Sequence, residues 1–133
     1  MGTLTEAFRQ AGVKAINPRW SWSACNINDR VVAVTLWEDR IDRLEDQRLA
    51  YNTFDHGNLP AWINKQGNRE RLGLLKWTQK NCDGKFRAIM LTARNRKAEP
   101  RRMASARYEK DMIFKLVRLC ERTGDFSAEQ VVS

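Results

Sequence analysis

Long apolar runs are missing from this 133-residue chain. No stretch approaches the ~20 residues that cross a bilayer as a helix, so no membrane partner is expected. The opening Met1-Gly2-Thr3-Leu4-Thr5-Glu6 has neither the basic start nor the apolar core of a signal peptide. Cysteine is scarce. Cys25, Cys82 and Cys120 are odd in number, far apart and without a C-x-x-C pair, which argues against a disulfide framework and for a reducing cytoplasm. Histidine occurs once. A zinc site would have to combine His56 with all three cysteines, and a Ser-His-Asp or Cys-His nucleophile would have to use a histidine set in the turn-like Asp55-His56-Gly57-Asn58. His56 reads instead as a solvated turn residue, and neither metal nor cofactor is expected.

What is present suffices for one core. Hydrophobic residues are 42% of the chain and charged residues 30%, a balance that folds as one domain over 1–133. Thr3-Leu4-Thr5-Glu6 has the form of a capping box, and Gly12 is placed to stop a helix over 4–11. After Pro18, the stretch Arg19-Trp20-Ser21-Trp22-Ser23-Ala24-Cys25 alternates at period two, a strand with Trp20, Trp22 and Ala24 on one face. Asn26-Ile27-Asn28-Asp29 is turn chemistry, and the β-branched stretch 31–37 is a second strand that pairs with the first as a hairpin.

Residues 38–48 mix both charges and fit a helix or, equally, a strand extension with a charged loop, and 51–66 reads as an irregular connection. Asn68 is expected to cap a helix reaching about residue 80, with Leu72, Leu74, Leu75 and Trp77 inward. Asp83-Gly84 then turns into a strand over 86–92. Residues 94–111, with Pro100, read as a basic insertion between strands; 112–119 fits a strand better than a helix, and a turn over 121–126 leads into a last short strand. The expected fold class is α+β: a twisted, mostly antiparallel sheet with one or two helices packed on it.

The net charge of +8 and the pI of about 9.9 favour an anionic partner. That charge is segregated. Residues 85–122 hold 12 Lys/Arg against 4 Asp/Glu, a balance of +8, whereas residues 1–84 hold 12 against 10. Arg94, Arg96, Lys97, Arg101, Arg102 and Arg107 fall within fourteen residues, opposed only by Glu99. Such crowding is relieved by a phosphate backbone, which gains sequence-independent affinity by counterion release. Five of the six are Arg, whose planar fork suits phosphate and guanine edges. A solvated loop or an acidic protein partner would also accommodate them.

Five tryptophans are many for this length. Trp20, Trp22 and Trp37 lie in or at the end of the first two strands, where exposed rings could stack bases at about 1–3 kcal/mol each. Core packing is the competing use of every Trp. Trp20 and Trp22, beside Arg19, are assigned to base contact; Trp62 and Trp77 are assigned to structure. Glu38, Asp39, Asp42, Glu45 and Asp46 could hold Mg²⁺ through two carboxylates. Arg40, Arg43 and Arg48 sit among them, however, and the strand at 86–92 carries no acid, so local ion pairing accounts for the cluster. Neither a Gly-rich phosphate loop nor a deaminase signature occurs.

Four stretches, Trp20-Ser21-Trp22-Ser23-Ala24, Leu36-Trp37-Glu38-Asp39, Asn68-Arg69-Glu70-Arg71-Leu72 and Ala98-Glu99-Pro100-Arg101-Arg102, together carry a resemblance spanning about residues 15–120. The chain resembles a small α+β domain found alone in bacterial and mobile-element genomes, or beside HNH nuclease domains in restriction enzymes that cut modified DNA. The resemblance implies a DNA reader of modified cytosine with no active site of its own. The HNH module itself is absent, since one histidine cannot build it.

The sequence therefore points to a non-catalytic nucleic-acid-binding domain, for DNA rather than RNA. Arg94, Arg96, Lys97, Arg101, Arg102 and Arg107 would meet phosphates, and Arg19, Trp20 and Trp22 would meet bases. Two other readings stand beside it. One is a mobile-element interaction protein that inhibits a host nucleic-acid enzyme; the other is a Mg²⁺ nuclease using Glu38 and Asp39.

Overall fold

A computed structural model of the chain describes residues 3–15, 21–53, 66–94 and 103–131. Helix α1 (Leu4–Gln10) begins with the Thr3 half of the expected capping box, Thr3 Oγ1 accepting the Glu6 N–H at 3.1 Å, while the Glu6 carboxylate accepts from Arg9 and Gln10 and does not reach back. Strands β1 (Ser23–Asn26) and β2 (Val31–Trp37) form the expected antiparallel hairpin, and Asn26 closes its turn by accepting the Asp29 N–H. A 3-10 turn (Glu38–Arg40) leads to β3 (Asp42–Arg43) and β4 (Leu49–Asn52). Helix α2 (Gln66–Asn81), β5 (Lys85–Ala93), β6 (Met103–Leu119) and β7 (Phe126–Gln130) complete the described elements.

These strands make one sheet in the order β1-β2-β5-β6-β7-β4-β3. All pairs are antiparallel except β2–β5. A parallel pair needs a long crossover, and here that crossover contains β3, β4 and α2. The fold is α+β, as the sequence predicts.

One face of the sheet, built from Val32, Val34, Leu36, Phe86, Ala88, Met90, Phe114, Leu116, Phe126 and Ala128, is covered by α2 through Leu75. The opposite face carries Ala24, Ala33, Ile89, Leu91 and Ala106, and α1 covers it with Ala7, Phe8 and Ala11. Strands β2 and β5 are therefore buried on both sides along most of their length, which is why β2 reads as a continuous apolar run and not as an alternation. Among the described residues, no helix is long and apolar enough to cross a membrane.

The stretch 38–48, left open by the sequence, takes the second of its two alternatives in kind: a 3-10 turn, the short β3 and a tight charged turn, not a helix. Three expectations need correction. Residues 49–52, read partly as irregular, pair with β7 as β4. The basic insertion does not extend to residue 111, because β6 already begins at Met103 and runs through to Leu119. Asn68 does not cap α2, which starts at Gln66; its side chain is buried and donates to the Thr123 carbonyl at 3.0 Å. Within α2, Leu75 is fully buried, while Leu72, Leu74 and Trp77 are half-buried.

Candidate nucleic-acid interface

Strands β2 and β5 run parallel and stop at the same end of the sheet, where the antiparallel β6 starts. The register aligns Trp37 with Leu91, Leu91 with Ala106 and Ala93 with Met103. Trp22 lies further in, on the β1 side and level with Ile89: its carbonyl accepts the Thr35 N–H at 2.9 Å and the Thr35 hydroxyl at 2.8 Å. Arg94 leaves β5 at the shared end, exposed and without an ion pair among the described residues. Arg107 stands nearby on β6, aligned with Met90.

Of the residues assigned from sequence, Arg94 and Arg107 share this end, Arg107 through its bond to Glu38 beside Thr92, while Trp22 stands on the β1 side, level with the middle of β5. Arg19, Trp20, Arg96, Lys97, Arg101 and Arg102 lie outside the described residues, as do His56 and Trp62. Both described flanks of the 95–102 segment, Arg94 and Met103, are at this end of the sheet.

Arg107 is exposed yet engaged. Its Nη1 donates to Glu38 Oε2 at 2.7 Å and its Nε to Glu109 Oε1 at 3.1 Å. The same Glu38 oxygen accepts the Thr92 hydroxyl at 3.0 Å. The Glu38 hydrogen bond is the main influence raising the Arg107 pKa, with partial burial opposing it and Glu109 adding to it. Glu38 therefore serves Thr92 and Arg107. Among the described residues, no group of three His, Cys, Asp or Glu could hold a metal ion.

Trp22 is half-buried, and the Arg71 guanidinium lies 5.2 Å from its ring centroid. That contact opens onto a constellation missed from sequence. Arg71, on α2, is buried and also lies 5.0 Å from the Phe126 ring, while its Nη2 donates to Asn68 Oδ1 at 3.2 Å. Burial pushes the Arg71 pKa down to about 10, against the opposing influence of Tyr51 and Asp125. Asp125 in turn accepts from the hydroxyls of Thr53 at 2.7 Å and Thr123 at 2.9 Å. The network ties α2 and β4 to the β6–β7 turn and fixes where Trp22 sits. No period or motif marks it, since Arg71 reads as one more cation on a solvated helix face.

Gly124 lies inside this network at φ +83°, and a Cβ there would stand 2.3 Å from Asn68 Oδ1. Gly124→Ala is expected to cost about 2–4 kcal/mol, combining left-handed strain with overpacking. Chemical denaturation reads the loss. In an Asn68→Ala background the same change should cost only the strain, about 1 kcal/mol, and an undiminished cost there would remove Asn68 as the clashing group.

No family model, curated protein or solved structure matches this chain.

Proposed function

We propose that the chain is a non-catalytic nucleic-acid-binding domain of the cytoplasm, acting on DNA rather than RNA. The observation that carries this reading is the register. It puts Arg94 and both described flanks of the arginine-rich 95–102 segment at one end of one sheet, and the Arg107 guanidinium reaches that end through its bond to Glu38, with Trp22 further in on the β1 side. The sequence concentrates positive charge in residues 94–107, which suits a polyanion, and the cations would replace the counterions condensed on a phosphate backbone. Trp22 then contributes as a supported aromatic at the edge of the contact, held by Arg71. Recognition of a modified base is the finer part of the proposal and rests on the resemblance of residues 15–120 to modified-DNA readers.

The test is fluorescence polarisation of labelled duplexes, with and without cytosine methylation, from about 50 to about 300 mM salt. Binding should weaken steeply with salt. Arg101→Ala with Arg102→Ala should flatten the log–log slope by about 2, since each phosphate contact contributes about 0.9. An unchanged slope removes these arginines from the interface. Absence of binding at the lowest salt overturns the reading and makes an acidic protein partner the next target.

A further inference from the structure

We infer that Glu38 is an internal anionic competitor, which occupies Arg107 in the free protein and so limits how tightly the basic end of the sheet holds a phosphate backbone. The inference rests on the nucleic-acid reading and adds a regulating residue to that same site. Glu38 follows β2 directly, in the 3-10 turn, and its carboxylate reaches Thr92 on the neighbouring β5 and Arg107 on β6 beyond it. One oxygen takes the Arg107 Nη1 proton at 2.7 Å and the Thr92 hydroxyl at 3.0 Å. Those are the donors, a guanidinium and a hydroxyl, that a phosphate oxygen would use at this position. The Arg107 and Glu38 side chains are 44% and 45% exposed, so water and a ligand anion reach both partners.

An exposed pair of this kind is weak enough to exchange. A phosphate that takes Arg107 must displace Glu38, and the displaced carboxylate stays beside it as a like charge. Arg107 therefore adds less to binding than its formal charge promises. Glu109, bonded to the guanidinium Nε, works in the same direction.

Glu38→Gln separates this role from a structural one, because the amide keeps an oxygen acceptor for Thr92 and gives up the charge. Relative to the wild-type chain, the variant should bind duplex DNA about two- to fivefold more tightly at low salt, the range that one exposed ion pair represents. Its salt slope should steepen by about 1 as Arg107 gains a phosphate. Glu109→Gln should act in the same direction with a smaller change.

Two controls make the outcome specific. Glu45→Gln makes the same change in net charge at the turn between β3 and β4, beside the opposite edge of the sheet, and should leave the slope unaltered. Adding Arg107→Ala to Glu38→Gln should erase the gain. An unchanged slope in folded Glu38→Gln, or an equal gain in Glu45→Gln or in the Arg107→Ala double variant, overturns the competitor role while leaving the nucleic-acid reading intact. Failure of the wild-type chain and every variant to bind at the lowest salt overturns both.

Discussion

Asp125→Ala is expected to destabilise the fold by about 3–5 kcal/mol, because two buried hydroxyls each lose a charged acceptor, a loss of roughly 1.5–3 kcal/mol per hydrogen bond. The carboxylate is 9% exposed and answers two hydroxyls, Thr53 through Oδ1 and Thr123 through Oδ2. Its charge is one of two influences that favour the buried Arg71 cation. Alanine would remove both acceptors and leave the guanidinium between Trp22 and Phe126 with less compensation. For a chain of this length each kcal/mol moves Tm by roughly 3–5 °C, so thermal unfolding monitored by circular dichroism should show a drop of more than about 10 °C. Asp125→Asn, which keeps one acceptor, should lose less. A shift under about 3 °C for alanine would mean that Arg71 is solvated and the network is not closed.

Phe126→Ala should cost a similar amount, about 3–5 kcal/mol, for a different reason. The ring is fully buried, 5.7 Å from Tyr51 and 6.4 Å from Phe86 in an edge-on arrangement, with Arg71 at 5.0 Å. Truncation would open a cavity where β7 meets α2 and remove one of the aromatic faces against the Arg71 guanidinium. Urea denaturation should give a lower midpoint with an unchanged slope. A loss below about 1.5 kcal/mol would show that the neighbouring rings collapse into the space.

What the sequence showed and what it hid divide along the range of the interactions. Helix α1 and strand β2 are local statements: a cap three residues from its acceptor, and a β-branched run, so their bounds were legible. The N-terminal half of β6 was not. Its charges, Arg107, Glu109 and Lys110, suggested a loop, because the inward positions between and before them are filled by the small Ala106 and by Tyr108. The alternation is also reset within the strand. Arg87 faces Ile113 and Ile89 faces Tyr108, so residues 109–112 bulge and change which face each later side chain meets.

Asn68 failed for the opposite reason. Its residue type is that of a helix cap, but its side chain is claimed by a carbonyl 55 positions away. Such a partner is a property of topology and leaves no local trace. Arg71 is hidden in the same way: a cation on a helix is normally solvated, and only the approach of Trp22 and Phe126 makes it a buried one. For the candidate site, the concentration of positive charge was legible from counting. Its pairing with Glu38 was not, because β2, β5 and β6 converge only through the parallel crossover.

Strand β7 has a further meaning when the chain is considered in time. It lies between β6 and β4, so the β3–β4 hairpin has no hydrogen-bonded neighbour in the sheet until β7 arrives. Yet β4 is made long before β7, separated from it by a helix and two strands. Residues 42–52 therefore gain their strand neighbour only across that distance, although Tyr51 already meets β2 by accepting the Trp37 N–H at 3.3 Å. Loop closure across such a distance is slow, because the entropy of bringing the ends together is lost before any contact rewards it. The far third of the sheet thus depends on a long-range pairing, and the short length of β3 and β4 limits what its edge can recruit from other chains.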